Sequence, residues 1–154
     1  MNVEAIQAAL SEEHLDGWLF YDHHERDPLA YRVLGFRPPR MVTRRWYYYI
    51  PSTGEPRALV HAIESGMLDA LPGKKTKYSS WAQQAESLGV LISGAKKIAM
   101  QYSPKNNIPY IGLVDAGTIE LVRSLGVEIA SSANLVQYFE ARWTEAQLAT
   151  HLEA

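Results

Sequence analysis

Residues 16–36 read DGWLFYDHHERDPLAYRVLGF, and the order of chemistry within them decides the fold. Trp18-Leu19-Phe20-Tyr21 is apolar at four consecutive positions. Strand side chains alternate between faces, so such a run suits a central strand covered on both sides. Asp22-His23-His24-Glu25-Arg26-Asp27 then breaks it with a polar cluster. Asp27 offers a helix N-cap, and Pro28 fits the first helical position, where its missing N–H costs nothing. Leu29, Ala30, Val33 and Leu34 return at helical spacing, and Gly35 supplies the stop. The stretch reads as buried strand, polar loop, short helix.

The neighbouring segments extend this pattern. Upstream, Asn2 caps a helix that places Val3, Ile6, Ala9 and Leu10 on one face. Residues 37–40 form an irregular linker. Residues 44–50 are aromatic and extended, 51–55 make a hairpin-length turn, and 57–61 return as a second strand. A helix is expected over 65–71, closed by Pro72-Gly73. Residues 75–78 are short and basic, as in an edge strand protected against mispairing. Ser80 and Gln83 have capping-box spacing, and Trp81, Ala85, Leu88 and Ile92 make the core stripe of the following helix, which ends at Gly94. A strand over 97–102 and a loop over 103–109 come next. Asp115 caps a helix carrying Ile119, Val122 and Leu125, and Gly126 stops it. A strand over 127–130 and a helix over 135–141 complete the alternation. The expectation is a three-layer α/β domain with a mixed β-sheet flanked by helices. Thr144 and Gln147 again have capping-box spacing. The helix they start would carry Ala146, Ala149 and Leu152 and reach Ala154 with no stop signal, so the chain reads as cut there.

Composition narrows the function classes. The chain has 154 residues, 47% hydrophobic and 21% charged, which suits one globular domain. With a formal charge of −2 it lacks the global basic field of a nucleic-acid or anionic-membrane binder. The absence of cysteine removes disulfides, thiolate nucleophiles and cysteine-based zinc sites. No signal peptide and no 20-residue apolar span is visible, so a cytoplasmic protein is the default.

The polar loop is the first candidate site. His23 and His24 beside Asp22, Glu25 and Asp27 have metal-friendly chemistry. Adjacent residues on an extended chain point opposite ways, however, which favours a partner-facing loop over a shared ion. Asp27 is better explained as a cap than as a catalyst. A second candidate is Arg37, Arg40, Arg44 and Arg45, followed by Trp46-Tyr47-Tyr48-Tyr49. Cations beside aromatics suit single-stranded nucleic acid. In a strand, though, Trp46, Tyr48 and Ile50 share one face and Arg45, Tyr47 and Tyr49 the other. One face is then core and the other an interface, and the arginines are available to a substrate carboxylate or a second subunit. Ser103 and Thr118 have no nucleophile context, and Gly112 and Gly117 form no phosphate-binding pattern. His61 reads as a packed strand-end residue; His14 and His151 sit on helix surfaces.

Taken together, the initial helix, LDGWLFYD, DPLAYRVLGF, the hairpin RRWYYYIPSTGEPRALVH and the closing LVQYFEARWTEAQLATHLEA resemble the N-terminal domain of the creatinase, prolidase and aminopeptidase P family, the pita-bread metallopeptidases. Two positions depart from the family pattern: Trp143 stands where lysine is usual, and Gln147 where an acid is usual. The resemblance implies that residues 1–142 are the creatinase/prolidase-like N-terminal domain. Residues 143–154 would begin a linker helix toward a C-terminal catalytic domain. The family's two divalent metal ions (Mn, Co or Zn) sit on that other domain, so this chain is expected to bind no metal and to have no activity of its own. The partners implied are the C-terminal pita-bread domain of the same protein, a second copy in a homodimer, and a proline-containing peptide substrate, with no nucleic acid and no membrane. His23, His24, Glu25, Arg26, Arg44 and Tyr47 are then candidates for the substrate mouth or the interface. The alternative is a stand-alone protein-interaction or small-ligand-binding module with the same fold.

Overall fold

A computed structural model describes residues 1–38, 41–142 and 145–153. Six strands form one sheet: β1 (Gly17–Asp22), β2 (Trp46–Pro51), β3 (Arg57–His61), β4 (Lys74–Tyr78), β5 (Lys97–Met100) and β6 (Glu128–Ser131). Their order is β4-β3-β2-β1-β5-β6. The β1–β2 and β2–β3 pairs are antiparallel, while β3–β4, β1–β5 and β5–β6 are parallel, so the sheet is mixed.

Helices cover both faces. On one side α1 (Val3–Glu12), α2 (Pro28–Leu34) and α5 (Ala133–Glu140) pack Ile6, Leu10, Leu29, Leu34, Leu135 and Val136 against Trp18, Phe20, Trp46, Tyr48 and Ile50. On the other, α3 (Trp81–Leu91) and α4 (Ala116–Ser124) set Leu88, Leu91, Ile119 and Val122 against Leu19, Tyr21, Tyr47, Tyr49 and Ile98. This is the three-layer α/β arrangement the alternation implied. All six residues of β1 are buried, because helices lie over both of its faces. Each large apolar side chain so buried contributes roughly 1.5–3 kcal/mol relative to exposure, an upper figure for a compact unfolded chain.

Local capping follows the sequence. Asn2 accepts the Ala5 N–H at 3.0 Å, Ser80 the Gln83 N–H at 3.2 Å and Asp115 the Thr118 N–H at 2.9 Å. Asp27 caps α2 with Pro28 at its start, and Gly35 takes the left-handed conformation, φ 65°, at its end. Gly17 is required for a different reason. A Cβ there would overlap the ring of Tyr49, whose hydroxyl donates to the Asp16 carbonyl at 3.0 Å.

Several expectations need correction. No α-helix spans 65–71: a 3-10 turn covers Ala62–Glu64, turns follow, and Leu68 has φ 67°, which breaks any helical run. Trp81 is not core. It is 83% exposed, and the buried face of α3 is Gln84, Leu88 and Leu91, continued by Ile92. The aromatic strand begins at Trp46, two residues later than expected, so Arg44 and Arg45 precede it. Its Tyr47–Tyr49 face is no interface either, since Tyr47 is 0% and Tyr49 2% exposed beneath α3 and α4. His14 lies beyond α1 with φ 55°, not on a helix surface. A last helix, α6 (Glu145–Glu153), is present, with Ala149 and Leu152 exposed. Pro39, Arg40, Trp143, Thr144 and Ala154 lie outside the described residues, as does the side chain of Ala146, and with them the readings of Arg40, the Thr144 cap and the Trp143 departure. Among the described residues, no helix is long and apolar enough to cross a membrane.

Candidate functional site

Loop 22–27 is built by its two end carboxylates. Asp22, the last residue of β1, is 1% exposed. Its Oδ1 accepts the N–H of Arg26 at 2.7 Å and of Asp27 at 3.0 Å; its Oδ2 accepts the N–H of Glu25 at 3.0 Å and the Tyr31 hydroxyl at 2.5 Å. A carboxylate has about four acceptor positions, and here all are taken by the protein. Those bonds hold His24 and Glu25 in left-handed backbone, φ 62° and 55°, a conformation that costs a non-glycine residue roughly 1–2 kcal/mol. Burial, and then the bond to Asp22, pushes the Tyr31 hydroxyl far above its ordinary range.

Asp27 closes the loop from the other end. Its Oδ1 accepts the Ala30 N–H at 2.9 Å and its Oδ2 the Gln101 side-chain amide at 2.7 Å; Gln101 in turn accepts the Trp18 indole N–H at 3.0 Å. A buried polar chain therefore links the central strand, the loop and the end of β5. Burial pushes the Asp27 carboxyl up to about 6; the Ala30 and Gln101 hydrogen bonds oppose the rise and the nearby Asp22 charge adds to it.

The predicted site residues are divided by this geometry. His24, Glu25 and Arg26 are exposed on the loop. Glu25 borders a depression with Tyr31, Arg32 and Arg37. His23 turns instead into a cleft of about 280 Å³ that also holds Arg44, Arg45, His61, Ser80 and Trp81. Burial, then the charges of His24, Arg45 and Arg26, hold the His23 imidazole below its ordinary pKa. The His23 and His24 rings do not point apart as an extended chain would require. His24 is left-handed, and the rings meet edge to face with centroids 4.3 Å apart. Among the described residues, no group of three or more His, Cys, Asp or Glu could hold a metal ion. Tyr47 is brought to neither place; its hydroxyl accepts the Gln84 amide at 2.5 Å inside the core. With Trp46 through Tyr49 all buried, the aromatics that suggested nucleic-acid stacking are out of reach.

His61 and Trp81 belong to the cleft, and sequence reasoning set both aside. The available signal was topological. His61 ends β3 and Trp81 opens the helix after β4, so both emerge at the carboxyl ends of two parallel strands, where ligand-contacting loops collect in α/β sheets.

No protein-family model matches the chain, and no curated protein matches it. Solved structures do. The prolidase from Pyrococcus horikoshii OT3 is 15% identical with a TM-score of 0.62, covering 96% of this chain and 37% of its own. The recombinant prolidase from Thermococcus sibiricus is 13% identical with a TM-score of 0.71, covering 99% and 39%. The creatinase/prolidase N-terminal domain of an X-Pro dipeptidase from Streptococcus pyogenes is 13% identical with a TM-score of 0.63, covering 88% of this chain and 95% of its own. The fold is therefore that of the creatinase/prolidase N-terminal domain. The chain spans little more than a third of the Pyrococcus and Thermococcus prolidases it matches, and nearly all of the isolated streptococcal domain.

Proposed function

We propose that this chain is a non-catalytic accessory domain of an Xaa-Pro peptidase-like protein. It works beside a C-terminal pita-bread catalytic domain that carries the two divalent metal ions, in a homodimer, and its loop 22–27 walls a mouth that admits proline-containing peptides. The observation that carries this reading is the likeness, across most of both chains, to a domain described as the N-terminal part of an X-Pro dipeptidase. The loop's internal hydrogen bonds to Asp22 support it, because a wall must hold its shape to select what passes. Reading the coding frame beyond Ala154 tests the partner. A downstream segment with two Asp, one His and two Glu in metallopeptidase order is expected. In that full-length protein, His24→Ala or Arg26→Ala should change KM or peptide-length preference while leaving the melting temperature in place; unchanged kinetics would remove the loop's role. A second reading, a small-ligand-binding module with the same fold, is favoured by one feature alone, the cations of the His23 cleft.

A further inference from the structure

The cleft beside His23 has chemistry that the accessory role does not use. Arg44 and Arg45 are exposed, and among the described residues neither has a carboxylate within ion-pair distance. Arg32 shows the contrast: its guanidinium meets Glu140 at 2.6 Å. No Asp or Glu lines the cleft, while His23, Arg44, Arg45 and His61 all do.

The backbone that carries the two arginines is held in place. Glu64, 8% exposed, accepts the N–H of Thr43 at 2.8 Å, the Thr43 hydroxyl, and the N–H of Arg44 at 3.2 Å. The Tyr78 hydroxyl donates to the Arg45 carbonyl at 2.8 Å. Arg45 Nη1 donates to Gln84 Oε1 at 3.4 Å, and Gln84, 4% exposed, is itself fixed on Tyr47. Arg44 Nη1 donates to the Thr43 carbonyl at 3.3 Å, so the backbone of both arginines is engaged but only one Nη1 contact of each guanidinium, out of five N–H donors. His61 Nδ1 accepts the Ile63 N–H at 3.1 Å, which leaves the proton of the neutral ring on Nε2 as a donor. Trp81 adds a large aromatic face left in water at the rim. Guanidinium forks suit the two oxygens of a carboxylate or phosphate, and an indole face suits a flat apolar body. A cleft of about 280 Å³ admits one small molecule or one terminal residue, not a helix or a duplex.

We propose that the cleft formed by His23, Arg44, Arg45, His61 and Trp81 is an oxyanion-binding site for a small ligand that joins a carboxylate or phosphate to a flat apolar group. It stands whether or not the chain serves a peptidase. The test is titration of the isotopically labelled whole chain, followed by amide and indole NMR shifts. Three probes are used: benzoate, benzamide and inorganic phosphate. Benzoate should saturate and move the Arg44, Arg45 and Ser80 amides and the Trp81 indole N–H. Benzamide, of the same shape without the charge, should leave them in place. Arg45→Gln should weaken benzoate about tenfold, as expected for loss of one charge-assisted contact, with the remaining spectrum unchanged. Phosphate moving the same signals would support a site for either oxyanion; benzoate acting without phosphate would support a carboxylate site. No saturation by either anion up to about 50 mM, equal binding of benzamide, or shifts confined to other surfaces would overturn the proposal.

Discussion

Loop 22–27 and segment 43–45 meet at the same end of the sheet, where Asp22 pairs with Trp46 across β1 and β2. Both are rich in charge, but their hydrogen bonds run opposite ways. The loop's end carboxylates are buried and bound by the protein's own donors, four on Asp22 and two on Asp27. Segment 43–45 has its backbone bound by Glu64 and Tyr78, while its two exposed guanidiniums each give one long bond to a neutral acceptor and have no carboxylate partner among the described residues. A cluster of charged letters is thus either scaffold or site. What decides is whether its acceptors and donors are already engaged from within, as buried polar groups must be.

Removing the scaffold should have the largest effect. Asp22→Ala leaves three backbone N–H groups and the Tyr31 hydroxyl without their acceptor, and a loss of about 3–5 kcal/mol in urea unfolding is expected. A loss under about 1 kcal/mol would mean the loop is held by something else.

Asp27 gives the next largest effect, and it depends on pH. Its folded pKa, about 6, lies above the ordinary value of 3.8, so between the two the native state holds the extra proton. Stability from this group is complete below about pH 4 and falls by about 3 kcal/mol as pH rises through 6. Asp16, Glu64 and Asp115 have lowered pKa values and act in the opposite direction: their contribution is present at neutral pH and disappears on acidification. The difference between the wild type and Asp27→Asn isolates the Asp27 term. That difference should change across pH 4–6 and be flat above pH 7.

The cleft should give the smallest effect. Trp81→Ala is expected to shift stability by no more than about 0.5 kcal/mol, because the ring is 83% exposed. A core-sized loss, about 3 kcal/mol or more, would return Trp81 to the interior where helical spacing first put it.

How much of this was visible in the sequence differs between fold and site. The strand from Trp18, the Asp27 cap with Pro28 behind it, the Gly35 stop and the hairpin follow from local rules, and the structure has them all. Local rules failed where two choices were close. Trp81 and Leu88 are a helical turn-pair apart, but the stripe Gln84, Leu88 and Leu91 is rotated from it, and a buried glutamine hides that stripe from a pattern of apolar letters. Tyr47 and Tyr49 read as an interface because nothing in the strand says that a second layer of helices covers them. The site was legible only as a set of letters. That Asp22 is fully engaged, and that the Arg44 backbone is tied down, depends on contacts with Tyr31 and Glu64, 9 and 20 residues away. His61 and Trp81 join the cleft through strand order, which a linear reading does not contain.

Amide hydrogen exchange within loop 22–27 tests the central claim most directly. If Asp22 builds the loop as a rigid wall, the Arg26 and Asp27 amides should exchange as slowly as those of the neighbouring strand β1, although they lie in a loop at the surface. The His24 amide, for which no such bond exists among those of Asp22, should exchange faster. Exchange of Arg26 and Asp27 at the rate of an unstructured peptide would contradict the account, because a loop that opens freely cannot be the scaffold described here.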